Sequence, residues 1–241
     1  MEHAVLALQK IIDASERIVF FGGAGVSTES GIADFRSKNG LFSQKYRVPP
    51  ETMLNRLYFD AHPDEFFAFY REKMLNLWAK PNQAHTALAK LEQNGKLAAV
   101  ITQNIDGLHQ AAGSKNVIEL HGSVFRNHCM DCGRAYGVEA VADPSQPVPR
   151  CSCGGIIKPD VVLYGEPLDD ALVDRAIGEI EKADTLIIAG TSLRVYPAAG
   201  LVHWFKGKHT VVINYDATDM DSKSQLNIRF PIGEVLSSII I

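Results

Sequence analysis

The chain has 241 residues, 46% of them hydrophobic, and a formal net charge of −4. That length and apolar content allow one large domain, or a domain plus a smaller module, around a real core. The absence of a basic excess argues against a nucleic-acid partner. With no apolar run of membrane-spanning length and no leader-like N-terminus, no membrane partner and a cytoplasmic location are expected.

Val5, Leu8 and Ile12 share one face of a short amphipathic helix over residues 4–12. The apolar run Ile18 to Phe21 follows as a buried strand and breaks into Gly22, Gly23, Ala24 and Gly25. Such a break lets backbone N–H groups approach an anion, and a helix starting just beyond would add its dipole. The ordinary dinucleotide fingerprint is absent, because no third glycine is in register and no acidic residue follows about 20 positions on. By itself the turn is equally well an ordinary tight turn. Ser27, Thr28, Ser30 and Asp34-Phe35-Arg36 then place polar groups where a plain packing helix would stand. Residues 37–50 read as a long, lid-like loop. Residues 51–78 read as helical, with Pro63 at a first helical position and Phe66, Phe67, Tyr70, Met74 and Leu77 as a core-facing stripe.

A helix over 83–93 stops at Asn94-Gly95, and the strand Ala98 to Ile101 runs into Thr102-Gln103-Asn104-Ile105-Asp106. A second short strand, Val117 to Leu120, ends at His121-Gly122. In an open α/β sheet, ligands lie beyond the carboxyl ends of the strands, so Asn104, Asp106 and His121 reach the same rim as the glycine turn. Each alone could be a turn former or a core histidine. Their conjunction makes a candidate site.

All four cysteines fall between 129 and 153, as Cys129-x-x-Cys132 and Cys151-x-Cys153 on glycine-bearing knuckles. In a reducing compartment this clustering points to metal rather than disulfides. Four thiolates suit a tetrahedral zinc and leave no open position for water, which makes the metal structural. His128 is the competing ligand, and the proline-bearing insert between the pairs reads as loop.

Val161 to Leu163 form a short strand closed by Gly165-Glu166, a helix covers 169–182, and the strand Thr185 to Ala189 ends at Gly190-Thr191-Ser192. A helix from Pro197 leads to Val211 to Ile213 and then Asn214-Tyr215-Asp216, a polar strand end that supplies an adenosine half-site. The apolar tail from Val235 to Ile241 docks on the core. This alternation predicts an α/β fold with a parallel sheet covered on both faces.

The motifs GAGVSTESGIADFR at 23–36, TQNIDGLH at 102–109, HG at 121–122, the cysteine pairs, KPDVVLYGE at 158–166, GTSLRVYPA at 190–198 and IN at 213–214 closely resemble the sirtuins, NAD-dependent protein deacylases, in their compact bacterial form. The resemblance covers nearly the whole chain. It implies a Rossmann-type NAD-binding domain (1–37, 80–121 and 159–241) and a small domain of a helical module and a zinc-binding module (38–79 and 122–158). NAD, as co-substrate, would meet an acyl-lysine protein or peptide in the cleft between them, and acetyl would pass from lysine to ADP-ribose as nicotinamide departs. His121 would be the general base, Asn104 would hold the nicotinamide ribose, and Asp106 would bind the carboxamide. Gly23, Ala24, Gly25, Thr28, Asp34, Phe35, Arg36, Gln103, Ile105, Gly190, Thr191, Ser192, Asn214 and Asp216 would complete the cofactor site. Val162, Tyr164, Gly165 and Glu166 would receive the peptide as an added strand, and one structural zinc would sit on Cys129, Cys132, Cys151 and Cys153. The rival readings are an NAD glycohydrolase or ADP-ribosyltransferase, and a non-catalytic binder of NAD or ADP-ribose.

Overall fold

The computed structural model describes residues 1–240. Helix α1 (Glu2–Ala14) buries Leu8, Ile11 and Ile12 and leads into β1 (Ile18–Gly22), where every residue is buried. The chain then departs from expectation. Instead of an α-helix, two 3₁₀ turns, Ala24–Val26 and Thr28–Ser30, follow the glycines. Hydroxyl side chains in this run bond to nearby backbone and compete with helical pairing; Thr28 Oγ1 donates to the Gly25 carbonyl at 3.0 Å. Gly31, at φ 86°, ends the second turn. No long helix dipole therefore faces the rim at this point.

The expected lid contains one 3₁₀ turn, Leu41–Ser43, and Asp34 ties down its start by accepting the N–H groups of Arg36 (3.0 Å) and Ser37 (2.8 Å). The helical stretch expected over 51–78 is broken into α2 (Pro50–Met53), α3 (Arg56–Ala61) and α4 (Pro63–Phe69), the last continuing in a π-turn over Tyr70–Met74. Asn55 starts α3 by accepting the Leu57 N–H at 2.8 Å, and Pro63, which cannot sit inside a helix, starts α4. Phe66, Phe67 and Tyr70 are buried as expected, but Leu77 lies beyond the last turn and is 46% exposed.

Helix α5 (Gln83–Gln93) begins with a reciprocal cap in which Asn82 accepts two backbone N–H groups and the His85 ring accepts that of Asn82. Then come β2 (Leu97–Thr102), α6 (Leu108–Ala111) and β3 (Val117–Glu119). Gly122 opens β4 (Gly122–Cys129), which is followed by β5 (Ala135–Tyr136), α7 (Glu139–Ala142) and β6 (Ile157–Val161). The insert expected as loop thus carries a strand and a helical turn. The strand expected at 161–163 is also corrected: it lies at 157–161 and pairs antiparallel with β4 in a separate three-stranded sheet, ordered β5-β4-β6. Gly122 makes this exit from the main sheet possible, since at φ 78° a Cβ there would fall 1.7 Å from the Asp160 carbonyl oxygen. The expected domain border between 158 and 159 therefore falls inside β6.

Asp169 caps α8 (Asp170–Lys182), which leads to β7 (Thr185–Ala189). A 3₁₀ helix, Ala198–Trp204, stands where a helix from Pro197 was expected, followed by β8 (His209–Ile213), β9 (Leu226–Ile228) and α9 (Ile232–Ser237). Val235, Leu236 and Ile239 of the tail are buried as expected; Ile241 lies outside the described residues. The six strands β3-β2-β1-β7-β8-β9 form one parallel, Rossmann-type sheet. One face packs on α1, α5 and α9, the other on α8 and the 3₁₀ helix. A third core joins Phe59, Phe66, Phe67 and Tyr70 of the small helices to Cys129, Cys151 and Ile157 of the small sheet.

Candidate active site

Because the strands are parallel, β1, β2, β3, β7 and β8 deliver their polar ends to one rim. The glycines there do something other than expected. Gly23 N–H donates to the Ala189 carbonyl (3.2 Å) and Gly25 N–H to that of Gly190 (2.8 Å), so neither is free for a phosphate. Their use is close approach: a Cβ on Gly25 would come 2.7 Å from the Gly190 Cα, and one on Gly190, at φ 60°, 2.5 Å from the Val26 nitrogen. The loops after β1 and β7 are thereby locked together, with Ala24 half-buried between two paired glycines.

A connected polar cluster stands beside this lock. Ser27 Oγ donates to Asp106 Oδ2 at 2.6 Å, and Asn104 Nδ2 donates to Ser27 Oγ at 3.1 Å. Asp106 Oδ1 accepts the Leu108 N–H at 3.0 Å. Ser27 is 1% exposed; the sequence marks it only as one of a run of polar residues and gives it no role in the site. Gln103 Nε2 donates to Thr191 Oγ1 at 3.0 Å, which joins the β2 and β7 ends.

His121 Nδ1 lies 3.0 Å from the Gln103 carbonyl oxygen. A carbonyl can only accept, so Nδ1 carries the proton and Nε2 keeps its lone pair. Burial pushes the His121 pKa below its ordinary value, against the opposing pull of that carbonyl. The ring is therefore neutral near pH 7 and able to take a proton at Nε2. Behind the cluster, the buried His85 and His109 rings pack with centroids 4.7 Å apart.

The other expected cofactor residues are placed without a direct bond to this cluster. Phe35 is half-buried against Phe42 at 5.3 Å, the Arg36 guanidinium lies over the same ring, and Thr28 is exposed. Ser192 is half-buried, Asn214 Nδ2 donates to the Asp216 carbonyl at 2.9 Å, and the Ile105 carbonyl accepts the Val124 N–H at 3.0 Å.

The segment after β6 is fixed on both sides. Val162 N–H donates to the His121 carbonyl (3.0 Å), Tyr164 N–H to that of Leu54 (2.9 Å), and Tyr164 accepts the Arg56 N–H (2.9 Å). The Glu166 side chain is taken up internally: Oε2 accepts the Leu163 N–H (2.8 Å) and Lys158 Nζ (3.2 Å), and Oε1 accepts Arg56 Nη1 (3.0 Å). Burial opposes ionisation of Glu166, but these donors together hold its pKa below the ordinary value.

The four cysteine sulfurs lie within 4.8 Å of one another, with Cys129–Cys153 at 3.4 Å and Cys132–Cys151 at 3.7 Å. A zinc with bonds of about 2.3 Å needs sulfurs roughly 3.8 Å apart, so the cluster fits the metal. The Cys153 backbone N–H and the Tyr136 phenol hold the Cys151 thiol below its ordinary pKa, toward the thiolate that binds metal. His128 pairs with Asp160 instead and is outside the cluster.

Fold and site together define a class: a parallel α/β protein whose polar site lies at the strand ends, with a four-cysteine zinc ribbon set beside it. The model of the Sir2 family matches residues 23–197. An NAD-dependent protein deacetylase of Clostridium perfringens is 57% identical over an alignment of 244 positions that covers 100% of both chains. One of Clostridium acetobutylicum is 56% identical over 236, covering 97% of this chain and 96% of that protein. A structure described as Sir2–p53 peptide–NAD+ superposes with a TM-score of 0.85 at 40% identity, covering 95% of this chain and 94% of that one. One described as Sir2 bound to acetylated peptide gives 0.85 at 37%, covering 96% and 95%. The chain belongs to the Sir2 family.

Proposed function

We infer that the chain is an NAD-dependent protein-lysine deacetylase that moves acetyl from acetyl-lysine to ADP-ribose and releases nicotinamide. The observation that carries this reading at the level of residues is His121, neutral, with Nδ1 committed to Gln103 and Nε2 available. NAD supplies the activated ribose carbon and the ADP-ribose that accepts the acetyl group. His121 takes a ribose hydroxyl proton at Nε2, as a base with a pKa near or below neutrality can. Asn104 and Gln103 orient that ribose, and Asp106, held by Ser27 and the Leu108 N–H, receives the carboxamide. Phe35 covers the reacting carbon and keeps water out, since hydrolysis would waste NAD.

Ala24, Thr28, Asp34, Arg36 and Ile105 border the nicotinamide and phosphates, while Gly23, Gly25, Gly190, Thr191, Ser192, Asn214 and Asp216 shape the adenosine and phosphate side. The peptide adds a strand along Val162, Tyr164, Gly165 and Glu166, a mode in which main-chain bonds supply affinity. The cleft lies between a nucleotide domain (1–37, 80–121 and 162–241) and a small domain (38–79 and 122–161), which keeps β6 whole in the small sheet. Zinc on Cys129, Cys132, Cys151 and Cys153 is structural. Among the described residues no helix is long and apolar enough to cross a membrane, and we place the protein in the cytoplasm, where thiols stay reduced for metal.

Mass spectrometry of an acetyl-lysine peptide with and without NAD tests this. Equimolar free lysine peptide, nicotinamide and O-acetyl-ADP-ribose are expected, all lost in His121→Ala. NAD consumed while the peptide keeps its acetyl group would instead identify a glycohydrolase or transferase.

A further inference from the structure

The side chains of Lys158 and Glu166 are only 7% and 15% exposed, yet each carries a charge, and Arg56 at 36% completes a triad with them. Burying such a pair is poor value for stability, because well-packed apolar residues of similar volume commonly do as well or better. What charges add is direction. Lys158 Nζ donates to the carbonyls of Val161 (3.0 Å) and Pro159 (3.2 Å) as well as to Glu166, so all three ammonium protons are placed. Glu166 in turn holds the Leu163 N–H, and Arg56 reaches it from α3. Three separate parts of the chain, namely α3, the zinc sheet through β6, and the 162–166 segment, meet at one carboxylate. Within that segment the Val162 carbonyl and both backbone groups of Gly165 have no protein partner among the described residues. An extended peptide requires such free backbone groups on an otherwise fixed strand.

We propose that the Lys158–Glu166–Arg56 triad is a positioning device that holds the 162–166 segment in its peptide-receiving shape and so sets affinity for the acyl-lysine substrate. This rests on the reading of that segment as the peptide site. None of the three residues touches the reacting atoms. A segment fixed before binding avoids an ordering cost at the moment of binding, so loosening it weakens the peptide and leaves the nucleotide half untouched.

The test uses the full zinc-loaded chain, with an acetyl-lysine peptide and ADP-ribose as separate titrants. Lys158→Met and Glu166→Gln are expected to raise the peptide Kd and KM about tenfold, with kcat within about twofold and the ADP-ribose Kd unchanged. Should either fail to fold, Arg56→Met removes the outer arm, together with the exposed Arg56–Asp60 pair within α3 (2.9 Å), which Asp60→Asn removes by itself as the control; Arg56→Met is expected to raise the peptide Kd about threefold, with partial recovery in Arg56→Lys and no change in Asp60→Asn. An unchanged peptide Kd in the folded triad variants, or a parallel loss of ADP-ribose affinity, overturns the inference. Gly165→Val, which forces a β-branched side chain onto φ 89°, checks the underlying reading. If it weakens the peptide while the triad variants do not, only the positioning role falls; if it too has no effect, the segment is not the peptide site and both fall.

Discussion

The rim of the parallel sheet and the four-cysteine ribbon lie at either end of β4, yet they are ordered by different means. At the rim, hydrogen bonds among Ser27, Asn104, Asp106, Gln103 and Thr191 are fixed by strands whose cores are complete on both faces. The ribbon joins the eight-residue β4 to a two-residue β5 and the five-residue β6, and it gathers four sulfurs that repel one another once ionised, so its order is expected to depend on the metal. The site can therefore be lost in two ways: by removing the chemistry from an intact rim, or by releasing the ribbon that carries β4 away from His121 and β6 toward the 162–166 segment.

Metal removal should have the largest effect. Structural zinc contributes on the order of 10–16 kcal/mol to small zinc domains. Chelation, or Cys132→Ser, should unfold the small unit and abolish deacetylation, leaving the circular dichroism of the main sheet and helices largely in place. A Cys132→Ser protein that stays fully folded and active would refute a structural zinc. Next in size is His121→Ala, which should lower kcat by about 10²–10⁴ while the protein stays folded, its thermal midpoint falling only by the loss of the ring and its bond to the Gln103 carbonyl. The pair separates the two regions: one variant loses chemistry with the fold kept, the other loses fold first.

Ser27→Ala comes third. It leaves Asp106 Oδ2 and Asn104 Nδ2 without their shared partner in a closed site, at a cost of about 1–3 kcal/mol. Urea unfolding should show that loss, and kcat/KM should fall with it, because Asp106 is no longer held. An unaltered kcat/KM would mean that the rim is ordered by its backbone lock alone.

Most of this rim is legible in the sequence, because each strand is an apolar run that stops at its own polar end: Ile101 before Thr102, Leu120 before His121, Ala189 before Gly190. The ribbon's ligands are legible for a different reason, their clustering. What the sequence does not disclose depends on pairing across long distance. β4 and β6 form one antiparallel sheet only because Gly122 can pass against Asp160, and no local period signals that. Glu166 reads as the close of a strand and part of the expected peptide site, but nothing in the local sequence shows that the fold buries it against Lys158. Gly23 and Gly25 suit a phosphate turn and a loop-to-loop lock equally well, and only the positions of the Ala189 and Gly190 carbonyls decide between them. Over 51–78 the apolar stripe hides two helix starts, at Arg56 and Pro63, since Asn55 and Pro63 interrupt the backbone without disturbing the pattern of the side chains.

The smallest effect per step is that of pH, and it can break the contrast between rim and ribbon. Burial pushes the pKa of His85 down to about 4, with Asp106 opposing, and that of His109 down to about 3, with His85 adding to the shift. Both His109 nitrogens and His85 Nε2 are buried without a partner, so neither ring gains from charging in the fold. The unfolded imidazoles titrate near 6.5, so below that pH the unfolded state binds more protons. Stability is then complete above about pH 6.5, and each ring lowers it by up to about 1.4 kcal/mol per pH unit on the way down to its folded value. His109→Phe removes one of these groups while keeping a ring against Phe20, which His109 meets edge-on at 6.1 Å; His85 and the buried His121 still titrate below their ordinary value. Urea midpoints followed from pH 7 to pH 5 should then fall less steeply than in the parent protein. If the slope is unchanged, acid acts first on the thiolates, which must stay deprotonated to hold zinc, and the ribbon rather than the sheet core sets the limit of stability in acid.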